Sequence, residues 1–338
     1  MPTRTELLIR KLQEIRRVDG VTVQHLEEVA AAPIGEETLE TPAPRVSQAA
    51  IESWRKFELE RPLDERDLFQ LESIVLGNGL RPAFDIQNDG YGTLPSLWQE
   101  LNDRRATMVP LIRGIGRVNL TGHPQLTFVG TAFVCGQERL ITNRHVAQIF
   151  TQGLGAGAQL SFTPGITASA DLKQEVGSSD SLPVRVLAPE LILDTWDIAV
   201  LRVEPLPATV APLPLARTSP AAIEERLAAV VGYPAFDPAE DLAQQLQIFR
   251  GTFDKKRIQP GRLKGIKPAP SFGNTVQSLA HDCSVLGGNS GSAVIDVISG
   301  KVVGIHFEGE PLVANYAVPT WAIAGDARVV NSGVQFTD

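Results

Sequence analysis

The sequence predicts a mainly β domain of the barrel or sandwich type, preceded by a mostly helical N-terminal region. Two patterns along the chain indicate this division. Up to about residue 75 apolar residues recur at helical spacing, whereas from about Gly116 onward short β-branched and aromatic runs alternate with Gly, Pro and Asn. At 338 residues, with 43% hydrophobic content, the chain is long enough for a globular domain with a substantial appendage.

The helical part is predicted from two apolar stripes, Leu7, Leu8, Leu12 and Ile15 in the first and Leu68, Leu71, Ile74 and Val75 in the second. Prolines between the stripes predict short helices joined by loops, with residues 31–45 as the most linker-like stretch. Residues 97–116 are predicted to form a helix that leads into the first strand. We therefore assign residues 1–105 to the helical region and residues 106–338 to the β domain.

The β domain is predicted from short runs with the composition of strands: LTFVGTAFVCG, ERLITNRHV, DIAVLRV, AVVGYP, QIFRGTF, SAVIDV and KVVGIHF. Glycine, proline and asparagine between the runs supply the turns. Many short strands at this density favour an all-β barrel or sandwich.

The formal net charge of -8 is carried mainly by the N-terminal part of the chain. Residues 1–100 hold 11 Lys and Arg against 18 Asp and Glu, and the rest of the chain holds 20 against 21. An acidic surface repels phosphate backbones, so the sequence argues against nucleic acid as a partner. Proteins or peptides are the expected partners.

No segment of the sequence has the pattern of a signal peptide or of a membrane span. The only cysteines are Cys135 and Cys283, which favours a reducing compartment, although one bridge between them stays open. We therefore expect a cytoplasmic protein with no membrane partner. The sequence also lacks nucleotide-binding glycine motifs and a close His, Cys and Glu spacing suited to zinc, so neither a cofactor nor a metal is expected.

Two motifs carry a histidine and an acid at the ends of predicted strands. In ITNRHVA, His145 follows a strand-like run, and in DIAVLRV, Asp197 precedes one. A carboxylate at that position can accept a hydrogen bond from an imidazole that acts as a general base. Asp194 is a rival for this role because it lies only three residues away. We prefer Asp197 because it directly abuts the strand.

The most specific motif is VLGGNSGSAVID, which contains Ser290. Its glycines let the backbone turn tightly enough to expose the Ser290 hydroxyl and to aim N–H groups at one point. A serine hydroxyl becomes a nucleophile once a base removes its proton, and the oxyanion that follows needs preorganised donors. The N–H groups of Gly288 and Ser290 are predicted to be these donors. In the order His, Asp, Ser, the motifs together predict acyl transfer by a catalytic triad.

The blocks ITNRHVA, DIAVLRV and GNSGSAVID resemble the signature blocks of the chymotrypsin-like serine proteases, particularly those of the bacterial glutamyl endopeptidase branch. The resemblance covers about residues 116–330. It implies two β-barrels with the site in the cleft between them, and it implies the triad roles for His145, Asp197 and Ser290. The implied activity is that of a serine endopeptidase that works through an acyl-enzyme intermediate.

The resemblance also implies where a peptide binds. In this family the strand after the nucleophile lines the specificity pocket, and that segment is KVVGIHFEG in this sequence. Phe307, Glu308 and Gly309 are then expected to pair with an extended peptide by strand addition. His306 matches a histidine that contacts the acidic or amide side chain of the substrate in glutamyl endopeptidases and in viral relatives that cut after Gln. The implied preference is therefore cleavage after Glu or Gln.

Two departures from the family pattern bear on these expectations. Glutamyl enzymes place a hydroxyl residue five positions before the nucleophile, where this chain has Val285, with Ser284 one step further back. The alternative is therefore that His306 only packs within the barrel. Digestive relatives carry an Asp just before the nucleophile that pairs with a newly cut N-terminal amine, and Asn289 stands at that position. We therefore expect no such activation switch.

The N-terminal region leaves two interpretations of the whole chain. The region adds about 100 residues before the protease-like part, and it is expected to be a docking or inhibitory module. A regulatory protein that binds through this region is an expected partner. An acidic surface of this kind would mimic a substrate if cleavage follows Glu, and the alternative is an ordinary solvated face, which is the commoner reason for such charge. The competing hypothesis for the β domain is a catalytically silent module that binds peptides or a partner protein.

Overall fold

The structure, a computed structural model, describes residues 3–31, 46–77, 81–238, 242–310 and 314–338. Apart from residue 31, the predicted linker over residues 31–45 lies outside these ranges. The helical N-terminal part and the mainly β remainder are both present, which confirms the predicted fold class.

The described N-terminal part contains the helices α1 (Arg4–Val18), α2 (Val23–Ala31), α3 (Gln48–Glu58) and α4 (Glu65–Gly77). Helix α1 begins where the Thr3 side chain accepts a hydrogen bond from the Glu6 backbone N–H and the Glu6 side chain accepts one from Thr3. The predicted stripe of α1 is buried at Leu8, Leu12 and Ile15. These residues pack into one cluster with apolar side chains of α2, α3 and α4, so the four helices have a core of their own.

Residues after α4 lead into the β domain through β1 (Phe84–Asp85), a short 3₁₀ helix (Ser96–Trp98), α5 (Gln99–Asp103) and α6 (Arg105–Ile112). The single helix predicted over residues 97–116 is therefore wrong, because the chain breaks at Arg104 and becomes extended at Ile115. The break allows Leu101 and Met108 to bury in the core that the barrels share. Phe84 belongs to the same core, and the division at residue 105 stays a prediction.

The first barrel follows from residue 115. Its elements are β2 (Ile115–Thr121), β3 (Phe128–Gly136), β4 (Arg139–Thr142), α7 (Arg144–Ala147), β5 (Thr151–Gln152), β6 (Gly155–Ala156), a 3₁₀ helix (Gly157–Gln159), β7 (Ser161–Phe162), β8 (Thr167–Asp171), β9 (Pro183–Ile192) and β10 (Ala199–Val203). The order β10-β4-β3-β2-β8-β9 closes through the pairing of β9 with β10. The closed ring leaves no open edge among its six strands.

The second barrel is built from the rest of the chain. Its elements are β11 (Leu215–Ala216), β12 (Leu227–Gly232), α8 (Leu242–Phe249), β13 (Arg257–Ser271), β14 (Asn274–His281), β15 (Ala293–Asp296), β16 (Lys301–Glu310), β17 (Ala314–Pro319), α9 (Thr320–Ile323), α10 (Ala327–Asn331) and β18 (Phe336–Thr337). The order β15-β12-β13-β14-β17-β16 closes through the pairing of β15 with β16. This is a second ring of six strands.

One predicted strand is wrong. The run QIFRGTF does not pair with a sheet, because its first part ends helix α8 and the rest forms a turn. Leu242, Leu246 and Phe249 recur at the spacing of a helix, and this signal prevails over the short aromatic run. Phe249 is fully buried and its ring centroid lies 6.2 Å from that of Phe253.

Candidate active site

His145 and Asp197 lie in direct contact at one end of the first barrel. Oδ2 of Asp197 is 2.6 Å from Nδ1 of His145, and Oδ1 accepts a hydrogen bond of 3.0 Å from the His145 backbone N–H. The carboxylate is 5% exposed, whereas the imidazole is 40% exposed. The acid is therefore buried behind the histidine, and the histidine faces solvent.

The strand register explains how residues so far apart in sequence meet. In the antiparallel pair of β10 and β4, Ala199 lies opposite Thr142. Asp197, just before β10, therefore faces the start of α7, which follows β4 and carries His145. The Asn143 side-chain amide adds a hydrogen bond of 2.9 Å to the Asp197 backbone carbonyl, which fixes the approach of the acid.

The rival acid Asp194 lies elsewhere. Its side chain is 59% exposed and forms an ion pair of 3.2 Å with Arg328. Of the two acids, Asp197 is the one that contacts His145.

The loop that carries Ser290 is held in a conformation that depends on glycine. Gly288 has φ +83°, and a Cβ at this position would lie 2.4 Å from the Tyr233 carbonyl oxygen. Gly291 has φ +87°, and a Cβ there would lie 2.0 Å from the Thr131 carbonyl oxygen. A side chain at either position would strain the backbone, and one at Gly291 would also push the loop away from the first barrel.

Backbone groups of this loop divide into bound acceptors and unbound donors. The carbonyl oxygens of Gly287, Gly288 and Ser290 each accept a hydrogen bond, from Ala235 N–H, the Thr131 hydroxyl and Thr131 N–H respectively. The N–H groups of Gly288 and Ser290, by contrast, reach no acceptor within the described ranges. A pair of unpaired N–H groups beside a partly buried serine hydroxyl has the composition of an oxyanion hole.

Thr131 of the first barrel binds the loop of the second barrel that carries Ser290. Its hydroxyl donates to the Gly288 carbonyl at 2.7 Å, and its N–H donates to the Ser290 carbonyl at 2.8 Å. The Thr131 carbonyl in turn accepts a hydrogen bond of 2.7 Å from the Thr142 hydroxyl. Because Thr142 ends β4 just before His145, this chain of contacts connects the nucleophile loop to the histidine.

The Ser290 side chain is partly buried and makes no hydrogen bond with any residue that the structure describes. Hydrogen bonds between a nucleophile and its base are often long in the absence of substrate and tighten in the Michaelis complex. The structure thus brings His145 and Asp197 together, with Ser290 held through Thr131 on the facing barrel.

A cleft of about 380 Å³ opens beside His145. It is lined by His145, Asp197, Pro270, Ser271, Phe272, Phe307 and Glu308. Two of the residues predicted to bind substrate, Phe307 and Glu308, are therefore on its wall.

The hairpin of β13 and β14 reaches across this cleft to the first barrel. Its turn consists of Phe272 and Gly273, with φ of 45° and 80°. Positive φ is unfavourable for a bulky residue, and such turns prefer Asn at the first position. The Phe272 ring lies 3.7 Å from the Arg144 guanidinium carbon, and this cation–π contact offsets the strain. Arg144 directly precedes His145, so the hairpin tip covers one side of the histidine.

Strand β16 offers an edge to a peptide. Its pairing with β15 ends at Ile305, whereas its pairing with β17 continues to Glu310. At His306 this edge still binds the loop after Ser290, because the His306 N–H donates to the Ser292 carbonyl at 3.0 Å and the His306 carbonyl accepts from the Gly291 N–H at 2.9 Å. Beyond His306, the edge that faces away from β17 pairs with no strand of the described residues. A bulge at Phe307 in the pairing with β17 changes the direction of the strand at this point.

His306 is buried in contact with His281. Nδ1 of His306 lies 3.3 Å from Nε2 of His281, and the two residues are 4% and 0% exposed. Burial lowers the pKa of His281 to about 4. Burial, with the neighbouring His281 and His145, holds the pKa of His306 well below its usual range. Both imidazoles of the pair are therefore neutral near pH 7.

The remaining predicted residues lie around the loop that precedes Ser290. The Ser284 hydroxyl donates a hydrogen bond of 2.6 Å to the Arg81 carbonyl oxygen, and Val285 packs against an apolar cluster of the second barrel. Gly309 is exposed near the end of β16. Asn289 is buried, and its Oδ1 accepts hydrogen bonds from the side chains of Gln259 and Ser292. The position of the activating acid in digestive relatives is thus occupied by an amide bound within the barrel.

A sequence comparison decides the family. The model of the trypsin-like peptidase domain matches residues 130–305, which is just over half of the chain. The chain belongs to the trypsin-like peptidase family. The protein is accordingly a serine endopeptidase, with proteins or peptides as substrates. No curated protein matches the sequence.

Solved structures of several proteases are similar to this peptidase at low sequence identity. The active form of the Rv3671c protease from M. tuberculosis is 17% identical, with 75% of this chain and 95% of that chain covered and a TM-score of 0.46. Deg5 is 16% identical, with 67% and 91% covered and a TM-score of 0.44. A variant of the HtrA-type protease AlgW with a tripeptide is 15% identical, with 67% and 63% covered and a TM-score of 0.46.

The described part of the peptidase gathers no group of three His, Cys, Asp or Glu side chains that would hold a metal ion. Cys135 and Cys283 are both unpaired and buried, and burial raises the pKa of each thiol well above its usual range. Of the helices in the described ranges, none is long and apolar enough to cross a membrane.

Several functional contacts of the peptidase were missed in the sequence. Thr131 lies in the run GTAFVCG, whose composition indicates a strand but not a contact with a loop about 160 residues later. Phe272 has one usable signal, since an aromatic residue before Gly273 at a hairpin turn breaks the usual preference for Asn. His281 follows a strand-like run and carries no signal of its pairing with His306.

Proposed function

We propose that Ser290 is the nucleophile of this peptidase, that His145 is its general base and acid, and that Asp197 orients the imidazole. The observation that carries the proposal is the bond of 2.6 Å between His145 Nδ1 and Asp197 Oδ2. A proton on Nδ1 that is donated to the carboxylate leaves the Nε2 lone pair free to accept the Ser290 proton. The second carboxylate oxygen, bound to the His145 backbone N–H at 3.0 Å, fixes the plane of the acid.

The reaction then proceeds in two halves. Ser290 Oγ forms a bond with the scissile carbonyl carbon while His145 takes its proton, and the same proton passes to the leaving amine when the peptide bond breaks. Water then attacks the acyl-enzyme, again with His145 as base, and Ser290 recovers its proton. The unpaired N–H groups of Gly288 and Ser290 support a role as donors to the oxyanion in both halves.

The substrate is proposed to bind as an added strand along β16. The part of this strand beyond His306 is proposed to supply the backbone groups that pair with a peptide, and Phe307 lines the cleft beside His145. Main-chain pairing at Phe307, Glu308 and Gly309 would align the scissile bond with the nucleophile. This alignment does not depend on which side chains the peptide carries.

We further propose cleavage after Glu or Gln, as in the glutamyl endopeptidase branch. The His281 Nδ1 atom is buried and makes no hydrogen bond. A buried N–H without a partner is rarer than a buried acceptor without one. The favoured tautomer of His281 therefore has no proton on Nδ1, and its Nε2–H donates to His306 Nδ1. His306 then carries its proton on Nε2, and its ring also forms a hydrogen bond with the Tyr316 backbone. A neutral N–H donor suits a carboxylate or an amide oxygen of the substrate, which would replace or share this contact with Tyr316.

The test of the nucleophile is covalent labelling with a fluorophosphonate probe. Wild type and a Ser299→Ala control, which changes a serine hydroxyl bound to Asp296 in a turn, are expected to label, and Ser290→Ala is not. Labelling that persists in Ser290→Ala would exclude Ser290 as the nucleophile. Absence of labelling in wild type, together with peptide binding, would instead favour the silent peptide-binding module.

The test of specificity is the sequence of cut sites in a denatured proteome digest. Cuts are expected mainly after Glu and Gln for wild type. A His306→Val variant is expected to lose this preference while it still labels with the probe, because the triad is unchanged. An unchanged cut-site profile in His306→Val would show that His306 only packs within the barrel.

A further inference from the structure

Asp282 is the meeting point of the N-terminal helices and the second barrel. It directly follows β14, and its carboxylate accepts hydrogen bonds of 2.8 Å from both Nε and a terminal nitrogen of Arg81. Lys11 of α1 lies 3.0 Å away and Lys264 of β13 lies 3.2 Å away. The Arg81 and Asp282 side chains are 5% and 8% exposed. This contact is therefore an interior ion-pair network rather than a surface bridge.

The network extends on both sides of Asp282. Arg81 also bonds Asp19, the C-cap of α1, at 2.8 Å, and Asp19 bonds Arg262 of β13. Lys264 bonds Glu14 of α1 at 2.7 Å. Burial alone would raise the pKa of Asp282, but Arg81, Lys11 and Lys264 hold this pKa well below its usual range. Asp282 is thus charged, and its charge is balanced by residues from two parts of the chain.

The position of Asp282 in the strand connects this network to the specificity pocket. Successive side chains of an extended chain point to opposite faces, so His281 points inward to His306 while Asp282 points outward to Arg81. Two residues later, the Ser284 hydroxyl donates to the Arg81 carbonyl oxygen at 2.6 Å. Arg81 thus holds the segment 282–285 at two points, with its side chain and with its main chain.

This segment is the wall that precedes the nucleophile loop. Ser284 and Val285 stand where the family resemblance implies pocket residues, and Gly287 begins the glycine turn that leads to Ser290. The glycine turn has its own anchors, Ala235 and Thr131, which bind the carbonyls of residues 287, 288 and 290. Movement of segment 282–285 would therefore change the pocket more than it changes the oxyanion donors.

We propose that Arg81 is a positioning residue for the primary specificity pocket, and that the N-terminal region acts as a built-in activator of the peptidase rather than as an inhibitor. The proposal rests on the proposed function of the Ser290 site. The cleft beside His145 is lined by residues of the two barrels, and the N-terminal region lies on the outer face of the pocket wall. A region in that place can stabilise the bound shape of the pocket without competing with the peptide.

The test compares selectivity between two matched peptides in the full-length chain. One carries the residue that wild type prefers before the cut, and the other carries Ala. In Arg81→Ala the ratio of kcat/KM for the two peptides is expected to fall by about tenfold or more, mainly through KM. The rate of fluorophosphonate labelling, which needs no pocket contact, is expected to change by less than about threefold. Arg81→Lys is expected to recover part of the selectivity, because a lysine can pair with Asp282 but not in the two-point geometry.

The matched control is Arg55→Ala, since Arg55 forms an exposed ion pair with Glu27 within the same N-terminal region. It is expected to leave both the selectivity ratio and labelling unchanged. If Arg81→Ala does not fold, Lys11→Ala takes its place. Lys11 lies at the rim of the network with a side chain that is 17% exposed, and its loss is expected to lower the ratio in the same direction by about threefold.

The outcomes separate this proposal from the one on which it rests. Higher activity of Arg81→Ala on both peptides would show an inhibitory region and overturn the proposal. An unchanged ratio of kcat/KM in Arg81→Ala, or in Lys11→Ala where that variant is used, would overturn the proposal as well. An equal fall in kcat/KM for both peptides and in the rate of labelling would also overturn it. If wild type itself neither labels nor cleaves, the assignment of Ser290 fails first and the positioning role falls with it.

Discussion

The two barrels hold their halves of the candidate site in different ways. In the first barrel, His145, Asp197 and Asn143 bind one another, and all three belong to neighbouring elements of that barrel. In the second barrel, the loop around Ser290 depends on Thr131 of the first barrel, and the pocket wall depends on Arg81 of the N-terminal region. The base half of the site is self-contained, whereas the nucleophile half is assembled by other parts of the chain.

The two halves of the site therefore depend on different contacts of the folded chain. The histidine and its acid can reach their geometry once β4 and β10 pair, which is a contact within one barrel. The Ser290 loop reaches its geometry only after the two barrels meet, because its carbonyls at Gly288 and Ser290 are bound by Thr131. We infer that alignment of the Ser290 loop depends on the contact between the two barrels, whereas the contact of His145 with Asp197 does not.

The largest effect is expected where the self-contained half is broken. In Asp197→Asn the side-chain oxygen can still accept the His145 backbone N–H, but an amide –NH₂ toward Nδ1 favours the tautomer with its proton on Nε2. We expect kcat to fall by about 10⁴-fold with a change of the melting temperature of only a few degrees. Steady-state hydrolysis of a peptide and thermal unfolding measure the two quantities.

The matched control for this change is Asp194→Asn. Asp194 is exposed and pairs with Arg328 outside the site, so its loss is expected to leave kcat within about twofold of wild type. A large loss in Asp194→Asn with little loss in Asp197→Asn would reverse the assignment of the orienting acid.

In both halves the sequence indicated the candidate residues better than the contacts that hold them. His145 and Asp197 lie at the ends of strand-like runs, which the sequence shows, whereas the pairing of β4 with β10 that brings them together joins segments about 60 residues apart. The glycines around Ser290 also show in the sequence, because a backbone with φ of +83° at Gly288 tolerates few other residues. Both barrels follow from short strands whose period and turns are visible one segment at a time.

What the sequence did not predict depends on contacts between distant segments. Arg81 has no local feature that indicates Asp282, since a buried ion pair is specified by two folded surfaces and not by either run alone. The same is true of Thr131, which resembles any strand threonine until the second barrel lies against it. Helix α8 was not predicted because the four aromatic or β-branched residues of QIFRGTF outweighed the helical spacing of Leu242, Leu246 and Phe249.

An intermediate effect is expected from the contact that joins the barrels. In Thr131→Val the shape is kept, but the Gly288 carbonyl loses its donor and the Tyr233 N–H loses its acceptor at 3.2 Å. We expect kcat to fall by about 100-fold because the oxyanion donors lose their alignment, with a loss of about 1–3 kcal/mol in the free energy of unfolding. Peptide hydrolysis and urea unfolding measure the two effects.

Thr320→Val provides the comparison for Thr131→Val. The Thr320 hydroxyl is also buried and donates to the Ala216 carbonyl at 2.7 Å, but it lies away from the nucleophile loop. A similar loss of stability with kcat near that of wild type is expected. If both variants lose kcat in proportion to stability, Thr131 has no special role in alignment and the contrast between the two barrels weakens.

The smallest effect is expected from a change of pH on the free energy of unfolding, which depends on the buried histidine His281 of the second barrel. Burial lowers the pKa of His281 from 6.5 in the unfolded chain to about 4 in the folded one. Between these values the unfolded chain binds a proton that the folded chain does not, so stability is greatest above pH 6.5 and falls as the pH is lowered. We expect the free energy of unfolding to fall by about 2 kcal/mol from pH 7 to pH 5 through His281 alone.

Urea unfolding of wild type and His281→Gln at the two pH values measures this contribution. Glutamine does not titrate and can still donate to His306 Nδ1, so the pH dependence of the variant is expected to be shallower by about 2 kcal/mol. His25→Gln, at a half-buried histidine of α2 outside the second barrel, is the matched control for the exchange of histidine for glutamine. Parallel slopes for wild type and His281→Gln would mean that the pair takes up a proton in the folded state. The pair would then present a charged rather than a neutral donor to the substrate at pH 5, and a preference for Glu over Gln would follow.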